Sequence, residues 1–265
     1  MYEEKITSSL PIIRRARDFH VYDTKGTRYL DLFRANGQAL MGHKPKGIPL
    51  VLKNTFSKGL FASYPSVYSR RLEKILTGLL PGCSSFRIYR NYDRAKALLG
   101  DQSVRDPLYH DVQDAETALW RPFLDENTEK AYTDTEGNPL VILPVLPFPG
   151  DFLPAVMGIK KGYSGKLPPS DRVSPVLEAV LIRTVYEMQR FAEEYNEDLW
   201  KKFPLPFWKR KGPYLLPAFR EDKYKDIFTR CLKNRVLVSP YFSIPSIVPG
   251  EWSDGEIGFL KNYRG

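Results

Sequence analysis

Cysteine is scarce in this sequence: Cys83 and Cys231 are the only two in 265 residues, and they lie far apart. Two cysteines do not make a disulfide framework or a metal site. Long apolar runs are also missing, since none approaches the roughly 20 residues that span a bilayer. Residues 1–19 carry charges at both ends of a short apolar patch and lack the longer apolar region of a signal peptide. We therefore expect a cytoplasmic, reduced protein with no membrane segment.

The composition is that of an ordinary globular protein, with 42% hydrophobic and 27% charged residues. A chain of this length can form one large domain or two small ones and can bury a substantial core. The formal net charge of +9 permits a polyanionic partner. Clustering of the charge matters more than its total.

The densest basic cluster lies between residues 201 and 211 and is interleaved with aromatic residues. Its members are Lys201, Lys202, Phe203, Phe207, Trp208, Lys209, Arg210 and Lys211. A groove for single-stranded nucleic acid combines cations and aromatic rings in this way. A solvated linker beside an apolar packing strip has the same composition, and we favour that interpretation because charge runs are weak motifs. We therefore expect no nucleic-acid partner and keep nucleic-acid binding as a second alternative function.

Apolar periodicity and proline or glycine breaks predict most of the elements. Leu72, Ile75, Leu76 and Leu79 follow helical spacing, and Pro81-Gly82 ends that helix. The other predicted elements are a buried helix over 49–62, a strand over 85–89, a helix over 94–99, a strand from Leu140 that breaks at Pro144, a helix over 173–195, a strand over 212–219, a helix over 222–233, a strand over 236–238 and a last helix that starts with a capping box at Ser253.

A β-hairpin is predicted near the N-terminus. Two short apolar runs, 19–22 and 29–32, flank the turn-forming residues Asp23-Thr24-Lys25-Gly26. Gly26 can adopt the positive φ that a tight turn needs. Hairpins of this kind are common, so the pattern alone does not indicate a function.

The residues around this hairpin resemble a known family signature. Arg28-Tyr29-Leu30-Asp31 is followed by Gly37 and then by Gly42-His43. This order is similar to the N-terminal signature of class III pyridoxal-phosphate (PLP) aminotransferases, and it looks closest to the glutamate-1-semialdehyde aminomutase branch. The predicted C-terminal order of strand, helix, strand, loop and helix, with Ser239-Pro240 after the second strand, resembles the same family.

The resemblance implies an α/β protein of fold type I, with a truncated large domain and an α+β small domain made from both chain ends. The corresponding limits are 1–48 for the N-terminal part of the small domain, 49–200 for the reduced large domain and 201–265 for the C-terminal part of the small domain. It also implies PLP as the cofactor. A homodimer is implied as well, because family active sites form across a dimer interface.

By the same resemblance, the cofactor phosphate would lie at the loop after strand 85–89. The matching positions are Asn91, Tyr92 and Asp93. Tyr92 stands where a glycine is expected, and the Asp93 carboxylate would repel a phosphate. Arg90 and Arg94 could partly offset that repulsion. The sequence therefore leaves open whether PLP still binds.

Two further cofactor contacts are implied between residues 100 and 170. Tyr109-His110 resembles an aromatic-His-Gly segment that stacks on the cofactor ring, with Asp111 in place of the glycine. The Schiff-base lysine has its nearest candidates in Lys160 and Lys161, in a glycine-rich, basic stretch without the expected threonine. Lysines in such loops are more often simply exposed. An Asp-Glu-Val segment, which would pair with the pyridine nitrogen, is absent from the sequence.

Substrate contacts are implied just before Gly37. Arg34 and Asn36 fall where the aminomutase branch places substrate-contacting residues. An arginine offers a fork to a small carboxylate. Alternatively, Arg34 caps or solvates a loop, and the sequence does not decide between these roles.

These observations predict an aminotransferase-like protein without normal transaminase activity, acting as a small-ligand-binding or partner-binding homodimer. The alternative is an active PLP-dependent aminotransferase or aminomutase with an atypical cofactor site.

Overall fold

The computed structural model describes residues 6–100, 104–109, 115–124, 140–148 and 152–263. The chain divides into two compact units. The end unit consists of Met1–Pro45 and Arg190–Gly265, and the middle unit consists of Lys46–Gln189. Both chain ends thus belong to one unit. The limits proposed from the sequence, residues 48 and 200, lie further along the chain.

The described residues form twelve strands, seven α-helices and two short 3-10 turns. The strands are β1 (Ile13–Arg17), β2 (His20–Asp23), β3 (Arg28–Asp31), β4 (Ser85–Tyr89), β5 (Val104–Arg105), β6 (Thr117–Trp120), β7 (Val141–Pro144), β8 (Ala155–Ile159), β9 (Trp208–Lys211), β10 (Tyr214–Pro217), β11 (Val236–Leu237) and β12 (Ser246–Ile247). The helices are α1 (Ile48–Phe56), α2 (Val67–Leu79), α3 (Tyr92–Leu99), α4 (Pro175–Phe191), α5 (Glu197–Trp200), α6 (Tyr224–Lys233) and α7 (Asp254–Lys261). The 3-10 turns are Arg34–Gly37 and Glu221–Lys223.

The end unit contains two small sheets. The first has the order β1-β2-β3-β11, in which β2 and β3 form the predicted hairpin. The C-terminal strand β11 joins this hairpin in parallel, with Val236 opposite Leu30. The second sheet has the order β12-β10-β9. The predicted capping box of α7 is confirmed, because the Glu256 carboxylate accepts a hydrogen bond from the Ser253 backbone N–H at 2.8 Å.

The basic cluster at 201–211 is not a solvated linker, because its second half is strand β9. Phe203, Phe207 and Trp208 are buried. Arg210 pairs with Glu197. The aromatic rings that the sequence places among cations therefore pack inside the end unit, where they are unavailable for stacking with nucleic-acid bases.

The middle unit is built around one five-stranded mixed sheet of order β4-β8-β7-β6-β5. β7, β6 and β5 are parallel, whereas β8 is antiparallel to both of its neighbours, β4 and β7. Consequently β4, β5, β6 and β7 all point the same way. β7 is buried along its length and ends at Pro144, the proline that the sequence predicts as its break.

β8 was not predicted from the sequence, where Lys160 and Lys161 lie in a glycine-rich, basic stretch. All five β8 residues are buried, so they show no alternation of polar and apolar side chains. Gly158 lies inside the strand because of packing: a Cβ there would lie 2.5 Å from the Cys83 Sγ. Glycine in this strand thus reflects the close approach of a neighbour and not a loop.

The helices of the middle unit follow the predicted periodicity. Leu72, Ile75 and Leu76 of α2 are buried, and the Ser66 side chain caps its start by accepting from the Tyr68 N–H. α1 ends at Phe56, earlier than the predicted residue 62. Across the described ranges, no helix is both long and apolar enough to cross a membrane.

Candidate functional site

The carboxyl edge of the middle sheet is where β4, β5, β6 and β7 end together. Open α/β sheets bind their ligands at the carboxyl ends of parallel strands. This edge carries Arg90 and Asn91 after β4, Asp106 after β5 and Arg121 after β6. It is therefore the candidate functional site of the middle unit.

The loop predicted to hold a phosphate does open a helix. Asn91 is the N-cap of α3, and its side chain accepts a hydrogen bond from the Arg94 N–H at 2.9 Å. Tyr92 is half-buried as the first helical residue, and Asp93 is exposed in the first turn. The backbone donor that a phosphate could use at Arg94 is thus already occupied by Asn91.

A protein carboxylate, Asp171, occupies the anion position next to this loop. It accepts from the Arg90 N–H at 3.0 Å and from the Arg94 Nε at 2.6 Å. These hydrogen bonds, with that from Arg94 the strongest, hold the pKa of Asp171 below its ordinary value. The residues that could have offset the charge of Asp93 are therefore engaged within the protein.

Segment 168–171 reaches this position by running along the outer edge of β4. The Tyr89 hydroxyl donates to the Pro168 carbonyl at 2.8 Å, and the Asp171 N–H donates to the Ile88 carbonyl at 2.8 Å. The Ser170 hydroxyl accepts from the Ile88 N–H at 3.1 Å. Asp171 is thus fixed by its own backbone as well as by its side chain.

A second ion pair lies at the ends of β5 and β6. Arg121 donates to Asp106 in a bidentate arrangement, with Nε and Nη2 at 2.8 and 2.6 Å from the two carboxylate oxygens. Asp106 also accepts from the Leu108 N–H at 3.1 Å. Tyr92 interacts electrostatically with both Arg121 and Asp106, and burial raises the pKa of its phenol. Asp106 follows a strand in the region where a pyridine-pairing aspartate is expected, but both of its carboxylate oxygens accept hydrogen bonds from Arg121.

The two candidate lysines lie at the opposite edge of the sheet. They follow the antiparallel strand β8, and the Lys160 N–H donates to the Leu140 carbonyl at the start of β7. The other end of β8, Ala155, is the residue that pairs with Tyr89 beside the predicted phosphate loop. At about 3.3 Å per residue, the five steps from Ala155 place Lys160 about 16 Å from that loop. Burial lowers the pKa of Lys160, which lies near the buried Cys83 thiol, and Lys161 is exposed.

Among the described residues that follow the four strands at the carboxyl edge, 90–99, 106–109, 121–124 and 145–148, the one lysine is Lys96, which is exposed in the second turn of α3. The structure therefore does not bring Lys160 or Lys161 together with Asn91, Tyr92 and Asp93. His110 and the side chain of Asn36 lie outside the described part of the structure.

Arg34, in the end unit, is buried and engaged with the backbone. Its Nε donates to the Asp31 carbonyl at 2.7 Å, and its Nη1 donates to the carbonyls of Ala39 and Leu40 at 2.9 and 3.1 Å. The guanidinium carbon lies 4.3 Å from the centre of the Phe19 ring, and the residue is 0% exposed. This placement fits the structural alternative and leaves no exposed fork for a substrate carboxylate.

The signature residues that suggested the family hold the same turn together. His43 Nε2 lies 2.7 Å from Asp31 Oδ2, and Asp31 Oδ1 accepts from the N–H groups of Phe33 and Arg34. Gly42 has φ of +87°, and a Cβ there would lie 2.9 Å from the Asp18 carbonyl oxygen. The aspartate, glycine and histidine of the signature thus have structural roles within this unit.

Asp106, Arg121 and Asp171 were missed by sequence reasoning. β5 and β6, which position Asp106 and Arg121, are short and lie in the region that was hardest to interpret. Asp171 contacts Arg90 and Arg94, which lie 81 and 77 residues earlier in the sequence. No local sequence pattern predicts such a contact. A charged residue directly after a short apolar run was the only available signal, and it applies to Arg121 alone.

Sequence comparison finds a relative that is similar along almost the whole chain. No protein-family model matches the chain. An uncharacterized protein of Borreliella burgdorferi is 28% identical over 264 residues, which cover 98% of this chain and 93% of that protein.

Solved structures share the fold. The ornithine aminotransferase of Plasmodium yoelii superposes with a TM-score of 0.65 and 14% identity, covering 98% of this chain and 97% of that one. The FumI protein of Sphingopyxis sp. MTA144, solved in its PLP internal aldimine form, gives a TM-score of 0.63 and 12% identity, covering 98% and 93%. The chain therefore has the mixed α/β fold of PLP-dependent aminotransferases, and identities this low establish the fold alone.

Proposed function

We propose that this protein is an aminotransferase-like protein without normal transaminase activity, which acts as a small-ligand-binding or partner-binding homodimer in the cytoplasm. Within the class III aminotransferases, its hairpin signature favours the glutamate-1-semialdehyde aminomutase branch. The observation that carries the proposal is the location of Lys160 and Lys161, which lie across the sheet from the loop where a phosphate would bind.

The described residues do not fit PLP as aminotransferases hold it. The cofactor requires a lysine imine, a held phosphate and a carboxylate at the ring nitrogen. The candidate lysines are about 16 Å from the predicted phosphate loop. Asp171 already accepts from the Arg90 N–H and the Arg94 side chain on either side of that loop, and Asp106 is bound to Arg121. We therefore derive no reaction step through this cofactor.

A cofactor titration tests the proposal. PLP is added to the purified full chain, the visible absorption of a lysine imine is recorded, and the product is reduced with borohydride and mapped by mass spectrometry. We expect substoichiometric label spread over several exposed lysines. A stoichiometric band that depends on one lysine would overturn the proposal. Lys160→Ala and Lys161→Ala identify whether the predicted candidates are responsible.

Exposed apolar side chains around the start of α2 support the homodimer. Within residues 50–67, five large apolar or aromatic residues are 59–70% exposed: Leu50, Phe56, Phe61, Tyr64 and Val67. Concentrated exposed apolar surface of this kind is typical of protein interfaces. Sedimentation equilibrium should give a dimer that Phe61→Glu converts to a monomer. Ile12→Glu, at an exposed site of the end unit, is the matched control, and a monomeric wild-type protein would contradict the homodimer.

A further inference from the structure

A groove between three helices of the middle unit shares no lining residue with the sheet edge described above. α1 contributes Asn54, Lys58 follows in the turn after α1, α2 contributes Tyr68 and Arg71, and α4 contributes Arg183 and Tyr186. The two residues from α2 are three positions apart, as are the two from α4, so each pair lies on one face of its helix. The cavity volume is about 330 Å³. This is at the lower end of the range for small-molecule sites.

The groove is electropositive. Lys58, Arg71 and Arg183 line it, and no acidic side chain does. Arg183 forms an ion pair with Glu187 on the same helix. Lys58 and Arg71 pair with no carboxylate within the described ranges. Cations that converge on a concave surface without neutralisation raise the local concentration of anions.

The guanidinium of Arg183 is held in place before any ligand binds. Gly47 has φ of +79°, and a Cβ at this position would collide with the Arg183 guanidinium. The backbone of Gly47 on one side and Glu187 on the other therefore restrict its movement. The Arg183 Nε is buried against Gly47 and has no hydrogen-bond partner among the described residues.

Aromatic and aliphatic side chains form the rest of the wall. Tyr68 is half-buried and Tyr186 is exposed, and Val51 and Ile182 add apolar surface. Tyrosine rings offer flat faces for a planar ligand and hydroxyls for polar groups. The groove thus combines cationic side chains with surfaces suited to an apolar body.

We propose that this groove binds a small organic oxyanion, a carboxylate or phosphate monoester carried on a planar apolar body. Arginine presents paired donors that match the geometry of either oxyanion. The inference rests on the proposed ligand-binding function and deepens it by naming the class of ligand.

Calorimetric titration of the full chain tests which parts of the ligand matter. The probes are phenyl phosphate and benzoate, which carry both features, inorganic phosphate, which is the anion alone, and phenol, which is the ring alone. We expect at least one of the first two to bind about tenfold or more tightly than the last two. Equal binding of inorganic phosphate would overturn the role of the apolar body, and failure of every probe would overturn the site.

Variants on neighbouring positions locate the binding. Arg71→Gln and Lys58→Gln remove lining cations and should each weaken binding by about tenfold, the usual effect of losing one charge-assisted hydrogen bond. Arg70→Gln on α2 and Lys53→Gln on α1 remove exposed cations that do not line the groove, and binding should change less than about twofold. Equal losses in both pairs would overturn the proposal. Thermal unfolding shows whether each variant is folded. If Arg71→Gln does not fold, the comparison of Lys58→Gln with Lys53→Gln remains as the test.

Phenyl phosphate and benzoate have no aldehyde. Their binding is therefore independent of imine formation. These probes can fail to bind even if PLP forms no lysine imine, and they can bind even if PLP does form one. A stoichiometric imine with PLP would reject the proposed function, and failure of both phenyl phosphate and benzoate to bind would separately reject the groove.

Discussion

Arg34 is a large, fully buried side chain whose guanidinium serves three backbone carbonyls in the end unit. A buried carbonyl that loses its donor costs about 1–3 kcal/mol. We expect Arg34→Met to lower the free energy of unfolding by about 2 kcal/mol or more, because several carbonyls lose their partner together. Urea denaturation of the full chain measures this change.

The control for this variant is Arg14→Met on the exposed strand β1. Removal of an exposed arginine changes stability by about 0.5 kcal/mol or less. A loss in Arg34→Met no larger than in the control would show that the buried guanidinium is not structural.

Asp171 predicts an acid-sensitive contribution to stability. Because hydrogen bonds from Arg94 and Arg90 lower its pKa in the folded state, its stabilisation is present above the unfolded pKa, about 3.9, and is lost as pH falls through the folded value. We expect the free energy of unfolding to fall less between pH 5 and pH 3 in Asp171→Asn than in the wild type. Urea denaturation at both pH values measures the difference.

The exposed carboxylate of Asp93, in the same loop, provides the comparison. Asp93→Asn removes one negative charge nearby without removing the contacts of Asp171. An identical pH response in both variants would show that the ordinary loss of a charge, and not the ion pair, causes the effect.

At the scale of elements, local signals predicted most helices and the N-terminal hairpin. Periodicity and the Pro81-Gly82 break placed α2, and the capping box placed α7. Strands β1, β5, β6, β8, β9 and β12 were missed, because they are short, uniformly buried or rich in charge. The charged residues at the carboxyl edge of the middle sheet, Asp106 and Arg121, were missed for the same reason. The position of Lys160 follows from the antiparallel direction of β8, which is a property of the sheet and leaves no local trace.

Two glycines of the end unit separate backbone strain from packing. Gly26 and Gly42 have similar φ values, +83° and +87°, but a Cβ contacts nothing within 4 Å at Gly26 and lies 2.9 Å from the Asp18 carbonyl oxygen at Gly42. The left-handed conformation alone costs about 1–2 kcal/mol for a residue with a side chain. We expect Gly42→Ala to be destabilised by about a further 1 kcal/mol or more through the backbone clash.

Thermal or urea unfolding of both alanine variants, compared with the wild type, measures this difference. Equal losses would mean that the turn at Gly42 relaxes without affecting Asp18. A larger loss in Gly26→Ala would contradict the role assigned to packing.

At the scale of the whole molecule, a net charge of +9 should not produce specific nucleic-acid binding. The aromatic rings of the basic cluster are buried, and Arg210 is paired with Glu197. We expect binding to generic DNA or RNA to be weak and to disappear as salt rises to physiological concentration, because only counterion release drives it. Fluorescence anisotropy in a salt series measures this. Salt-resistant binding that falls in a Trp208→Ala variant would contradict it.

The parallel pairing of β3 with β11 also has a consequence during biosynthesis. Leu30 leaves the ribosome long before Val236, its neighbour in the sheet. The whole middle unit is synthesised between them, and domains generally fold as units during translation. The β3 edge of the nascent hairpin therefore stays unpaired until the last part of the chain emerges. Slowed translation or an early stop would leave an incomplete sheet that is prone to pair with other chains.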